Sequence, residues 1–208
     1  MFDYIRDPAE ITRKSFEAVR AETDLSGFSA DEGALCVRLV HACGMPDIAG
    51  DLVFGGGAVT AGRRALRAGA AVLTDVEMVR HGIIRARLPA ANPVLCTLHD
   101  EAVRERAQDQ GTTRSAAAVD LWGDKLAGAV VAIGNAPTAL FRLLELMAEG
   151  AGPPALILGF PVGFIGAAES KEALIENSGG VPFITLRGRR GGSAMAAAAV
   201  NALAGDGS

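Results

Sequence analysis

From Leu52 onward the chain alternates short, uninterrupted apolar runs with longer stretches of helical periodicity punctuated by glycine. The apolar runs are LVFG, AAVLTDV, NPVLCTL, GAVVAIGN, ALILGFP and PFITLRG. Between them lie AGRRALRAGA, EMVRHG, DEAVRERAQDQG, APTALFRLLELMAEG and AAESKEALIENSG, and GGSAMAAAAVNALA closes the series. Strands that are apolar on both faces, separated by helices of ten or more residues, predict an α/β fold. The expected architecture is a single domain over residues 1–204, with a mostly parallel sheet covered by helices on both faces. No repeat, linker or low-complexity segment interrupts it, and Gly205 to Ser208 reads as a loose tail.

Two helices are predicted ahead of this series. Asp7-Pro8-Ala9-Glu10 supplies an N-cap, a proline at the first helical position and an acid in the first turn. Ile11, Ser15, Phe16 and Val19 then recur at a spacing that predicts one buried face, with Ser15 among them. The second helix starts at Ser29, which with Glu32 forms a capping box. It runs to about Cys43 and stops at Gly44, and Pro46 prevents its resumption. On it Ala34, Arg38 and His41 share one stripe, while Leu35, Leu39, Ala42 and Cys43 form an apolar stripe expected to face the core. A cation and a titratable imidazole beside a small residue make this stripe the best candidate for a working site. The competing reading is that His41 only complements the negative end of its own helix.

Composition narrows the choice of chemistry. The chain has 208 residues and a formal net charge of −4, a balance that argues against a nucleic-acid partner. Among the 20 basic residues only Lys14, Lys125 and Lys171 are lysines. Arginine is the residue for forked recognition of carboxylate or phosphate, although a GC-rich genome would leave the same bias. Cys36, Cys43 and Cys96 form no CxxC pair, which argues against disulfides and a zinc site and for a reducing, cytoplasmic compartment. No run reaches membrane-spanning length, and the start MFDYIRDPAE has no apolar leader pattern.

In parallel sheets ligands sit beyond the carboxyl ends of the strands, where Thr74-Asp75, His99-Asp100, Gly134 to Pro137, Gly159 to Phe164 and Arg187 to Ser193 fall. These turns are glycine-rich, yet neither GxGxxG nor GxxxxGK[ST] occurs, and GxSxG, HExxH and HxxEH are also missing. Nucleotide, serine-hydrolase and zinc-hydrolase chemistry therefore lack their usual devices. His81 and His99 read as structural. Arg114 opens a helix where the dipole disfavours a cation, which argues for an anionic partner.

The blocks LVHACGMPDIAGDLVF, LTDVEMVRHGI, GTTRSAAAV, GNAPTALFRLLEL, GFPVGFIGAAESKEAL and RGGSAMAAAAVNAL together resemble the precorrin-8X methylmutase family of corrin biosynthesis, in order and over essentially the whole chain. The resemblance implies an isomerase that moves the C-11 methyl of precorrin-8X to C-12, giving hydrogenobyrinic acid. It implies His41 as the catalytic acid and Ser15, Arg38 and Arg114 as substrate contacts. It also implies a homodimer with the pocket near the interface, and no metal or other cofactor. A methyl migration needs no nucleophile or redox group, and the absent motifs agree with that. The alternatives are a cobalt-precorrin-8 methylmutase of the early-cobalt pathway and a non-catalytic tetrapyrrole carrier.

Overall fold

The structure is a computed structural model that describes residues 2–205. Among these, six strands form one sheet: β1 (Leu52–Gly55), β2 (Val72–Thr74), β3 (Val94–Cys96), β4 (Val130–Ile133), β5 (Leu156–Gly159) and β6 (Phe183–Leu186). Their spatial order is β1-β6-β5-β4-β2-β3, and every pair is parallel except β1 with β6. The α/β expectation is met, with this one antiparallel edge. All of β4, β5 and β6 is buried, which explains why their sequences are continuously apolar rather than alternating.

Helices cover both faces. On one face α2 (Ala30–Cys43), α3 (Ala58–Arg67), α4 (Glu77–Gly82) and α9 (Ser193–Ala204) enclose a core built on Leu39, Leu66, Leu158, Ile184 and Val200. On the other, α7 (Pro137–Ala148) and α8 (Ala167–Glu176) close over Leu73, Val131, Ile157 and Trp122. A smaller cluster joins α5 (Glu101–Asp109) to α6 (Arg114–Asp120) through Val103, Ala107, Ala117 and Ala118. α9 is almost entirely Ala, Met, Val and Leu because it lies flat on the sheet. Gly134 permits that approach, since a Cβ there would meet Ser193 Cα at 2.7 Å and Ala196 Cβ at 2.9 Å. No helix among the described residues is long and apolar enough to cross a membrane.

The expected buried face of α1 (Pro8–Glu22) is not realised within one chain. None of its residues is buried, and Ile11 is 46% exposed. Ser15, Phe16 and Val19 are half-buried where the helix lies on α2. On α2 itself Leu35 and Leu39 are buried as expected and Cys43 half-buried, but Ala42 is exposed and Cys36, Val37 and Val40 join the core instead. The reason is that α2 is packed from two sides, by the sheet layer and by α9, so its apolar surface is broader than one stripe. The expected loose tail reaches the described residues only at Gly205, which is half-buried; residues 206–208 lie outside them.

One buried charge ties two elements together. Lys171 of α8 has no exposed surface, and its Nζ donates to the backbone oxygen of Arg190 at 2.6 Å. Burial pulls its ammonium down from the ordinary lysine value to about 8, against the opposing pull of Asp51 and Glu172. Arg190 in turn donates to Asp47 and Asp51, at 2.5 and 2.9 Å, so the turn after β6 is fastened to the 3-10 segment Pro46–Asp51 that follows α2.

Candidate active site

α2 owes its placement to its ends. Ser29 N donates to Glu32 Oε2 at 3.0 Å and Glu32 N to Ser29 Oγ at 3.4 Å, the reciprocal bonds of a capping box. At the other end Gly44 takes φ 71°, and its N–H returns to Val40 O at 2.7 Å. Between these ends the outer face carries Ala34, Arg38 and His41.

α1 lies across that face and completes a cluster. Ser15 Oγ is 3.0 Å from His41 Nδ1. The Phe16 ring stands 4.7 Å from the imidazole, tilted by 31°, and the Arg38 guanidinium lies over the same ring at 4.4 Å. Phe16 is thus held between an imidazole and a guanidinium, an arrangement that fixes the orientation of both. The serine hydroxyl occupies Nδ1, so the exposed imidazole has Nε2 left for a ligand. When Ser15 donates, the neutral ring carries its proton on Nε2, the form required of a proton donor.

A cavity of about 670 Å³ opens beside this cluster. Phe16 and Arg20 of α1, Ala34 and Arg38 of α2, Arg63 of α3 and Arg87 line it, with the last turns of α9 as its floor. His41 stands just outside the lining, on the far side of Phe16. Half-burial lowers the proton affinity of the Arg38 guanidinium, and the like charges of Arg87 and Arg20 lower it further. No aspartate or glutamate lines the cavity. In a chain of net negative charge this is a local reversal of sign, of the kind that draws anionic ligands.

The turns at the carboxyl ends of the strands do not line this cavity, contrary to the expectation from parallel-sheet geometry. They are consumed by internal bonds. The buried Asp75 carboxylate accepts from Gly134 N at 2.9 Å, Asn135 N at 2.9 Å and Ala136 N at 2.8 Å, and so shapes the turn into α7. Burial raises its proton affinity while those three amides oppose the rise. Arg114 is also apart from the Ser15–His41 cluster in the single chain. Its Nη2 donates to Leu98 O at 3.2 Å and lies 3.4 Å from His99 Nδ1, in the α5–α6 region. Its partners are thus a carbonyl and an imidazole rather than the expected carboxylate. His81 sits 3.8 Å from Glu77 on the surface, the structural role foreseen for it.

Sequence reasoning found Ser15, Arg38 and His41, which the structure brings together, and it placed Ala34 correctly as a small residue beside open space. It missed Phe16 as the spacer and Arg20, Arg63 and Arg87 as cavity residues. Arg20 follows Phe16 by one helical turn, a signal available in the sequence. Arg63 and Arg87 come from distant segments and had none.

Fold and site together define a single-domain α/β protein with an accessible imidazole beside a polycationic cleft, an arrangement suited to proton transfer on an anionic ligand. Comparison with known proteins specifies the family. The family model described as precorrin-8X methylmutase matches residues 10–205. The chain is 61% identical to the precorrin-8X methylmutase of Pseudomonas aeruginosa over 98% of both chains. It is 41% identical to the cobalt-precorrin-8 methylmutase of Methanothermobacter thermautotrophicus, covering 93% of this chain and 91% of that one. The solved precorrin-8X methylmutase from Thermus thermophilus superposes with a TM-score of 0.84 at 39% identity, covering 93% of this chain and 95% of that one. The chain belongs to the precorrin-8X methylmutase family, a family of isomerases.

Proposed function

We propose that the protein converts metal-free precorrin-8X to hydrogenobyrinic acid, with His41 as the acid. The observation that carries the metal-free choice is the grading of identity. The relatives at 61% and 60% bear the name precorrin-8X methylmutase, whereas those named for cobalt-precorrin-8 are 41% identical or less. In this reading one carbon–carbon bond breaks at C-11 and one forms at C-12, so atoms and electrons balance within the substrate. The protein holds the macrocycle in a reactive shape and supplies a proton that redistributes charge over the conjugated ring. Imidazole is the side chain whose ordinary titration range spans neutral pH, and one positioned acid contributes about 10²–10⁴-fold. Strain and electrostatics supply the remainder.

Ser15 orients the imidazole and contacts the substrate, and Arg38 contacts a carboxylate. Arg114 is assigned to the substrate through the family resemblance. The reading needs no metal or redox cofactor. It places the enzyme in the cytoplasm as a homodimer with the pocket near the interface.

The test is an absorbance titration of the purified protein with hydrogenobyrinic acid, followed by incubation with precorrin-8X and, separately, with cobalt-precorrin-8. Spectral conversion of the metal-free substrate is expected. Conversion of the cobalt form alone would move the protein to the early-cobalt pathway. Binding without any conversion would make it a carrier.

A further inference from the structure

We infer that Arg20, Arg63 and Arg87, together with Arg38, form a wall that binds several carboxylate arms of the macrocycle at once. This rests on the reading above and adds to it three binding residues and the edge of the ligand they hold.

The four guanidinium groups come from four separate elements: α1, α2, α3 and the 3-10 turn Arg85–Arg87. They converge because of the fold, and no single helix face places them. Arg63 is held by Asp31 at 2.7 Å, and Asp31 points away from the lining, being 57% exposed. Arg20 and Arg87 make no ion pair with any carboxylate among the described residues. Four cations around one cavity without an acid repel one another, and the depressed proton affinity of Arg38 is the measure of that repulsion. Elsewhere on the same surface arginines are neutralised, as with Arg142 by Asp120 and Arg190 by Asp47 and Asp51. An arrangement with unneutralised charge at one place is accounted for by an anion that arrives with the ligand.

The number of cations decides the ligand class. One carboxylate saturates one guanidinium fork or two, so four arginines over about 670 Å³ call for a polyanion with separated acid groups. A flat macrocycle bearing carboxylate arms on its rim has that form. With one edge of the ring in the cavity, Phe16 forms the boundary between the anchored rim and the part of the ring exposed to His41. The acid arms then set the register of the ring against the imidazole, and binding energy far from the reacting carbon positions it.

The experiment compares wild type with Arg20→Gln, Arg87→Gln, the double variant and Arg104→Gln. The last removes the same charge from an exposed site on α5, away from the cavity. Product affinity is read by absorbance titration at two salt concentrations, and kcat and KM with precorrin-8X. Each cavity variant is expected to weaken product binding by about tenfold, as for a charge-assisted bond at a partly exposed site. The double variant is expected to be weakened by roughly a hundredfold, with KM rising, kcat within about twofold and a shallower salt dependence. Arg104→Gln stays within about twofold of wild type. A product analogue whose side-arm carboxylates are amidated should bind wild type and double variant alike.

If wild type converts substrate while both cavity variants bind product as it does, the carboxylate wall is wrong and the methylmutase reading stands. A fall in kcat at unchanged KM would also overturn it. If wild type neither binds nor converts, the proposed function fails and takes this inference with it.

Discussion

The hydrogen bond between Ser15 Oγ and His41 Nδ1 makes the two residues separable by experiment. His41→Ala removes the proposed acid but leaves the arginines of the cavity in place. Turnover should fall by about 10²–10⁴-fold while hydrogenobyrinic acid still binds within a few-fold of wild type. Ser15→Ala keeps the acid and loses its orientation, so a smaller loss in kcat, of about tenfold, is expected with binding little changed. Single-turnover absorbance kinetics on both variants checks this, and wild-type turnover by His41→Ala would reduce the imidazole to a helix-end ornament. Phe16 contributes by packing alone. It keeps the guanidinium of Arg38 and the imidazole on opposite sides of one ring, so that a positive charge does not sit against the proton donor.

Among the elements, α8 carries a stability that depends on pH in an unusual direction. Its Lys171 has a folded-state value of about 8, below that of an exposed lysine. Between these values the unfolded chain binds more protons than the folded one, so stability from this group rises with pH. From pH 7 to 9 wild type should gain roughly 1 kcal/mol relative to Lys171→Met. Denaturant melts of the two proteins at both pH values check the difference, and parallel pH profiles would show that Lys171 is not held as described. Most elements were legible in the sequence because their signals are local: the Ser29–Glu32 box, Gly44 in its left-handed turn, Pro8 and Pro137 at helix starts, and runs such as VVAI and LILG. The antiparallel pairing of β1 with β6 was not, because strand direction depends on where the chain has travelled between them. The buried face expected of α1 failed for a related reason, since Ile11 has nothing in its own chain to cover it. The arginine wall escaped notice because its members are near neighbours only after folding.

The whole molecule leaves apolar surface at its N-terminal segment that a lone chain does not use. Phe2 is 90% exposed, Tyr4 65% and Ile11 46%, next to the helix that carries Ser15. Surface of this kind beside a site supports the proposed homodimer. Sedimentation velocity at micromolar protein should therefore give a species of about twice the 21.3 kDa chain. A monomer would remove the dimer from the proposal and leave the single-chain cluster as the complete site. The edge strand has a different kind of consequence, one that concerns synthesis. β1 follows directly on the helix bearing His41, yet its only sheet neighbour is β6, where Leu52 faces Leu186. On the ribosome the histidine emerges early and its anchoring partner near the end, a delay on the order of ten seconds at ordinary translation rates. Throughout that interval the apolar side of α2, with Leu35, Leu39 and Val40, has no sheet to close on. The part of the polypeptide proposed to do the chemistry is made first and finished last, so a nascent chain halted before β6 would present an exposed greasy helix to chaperones.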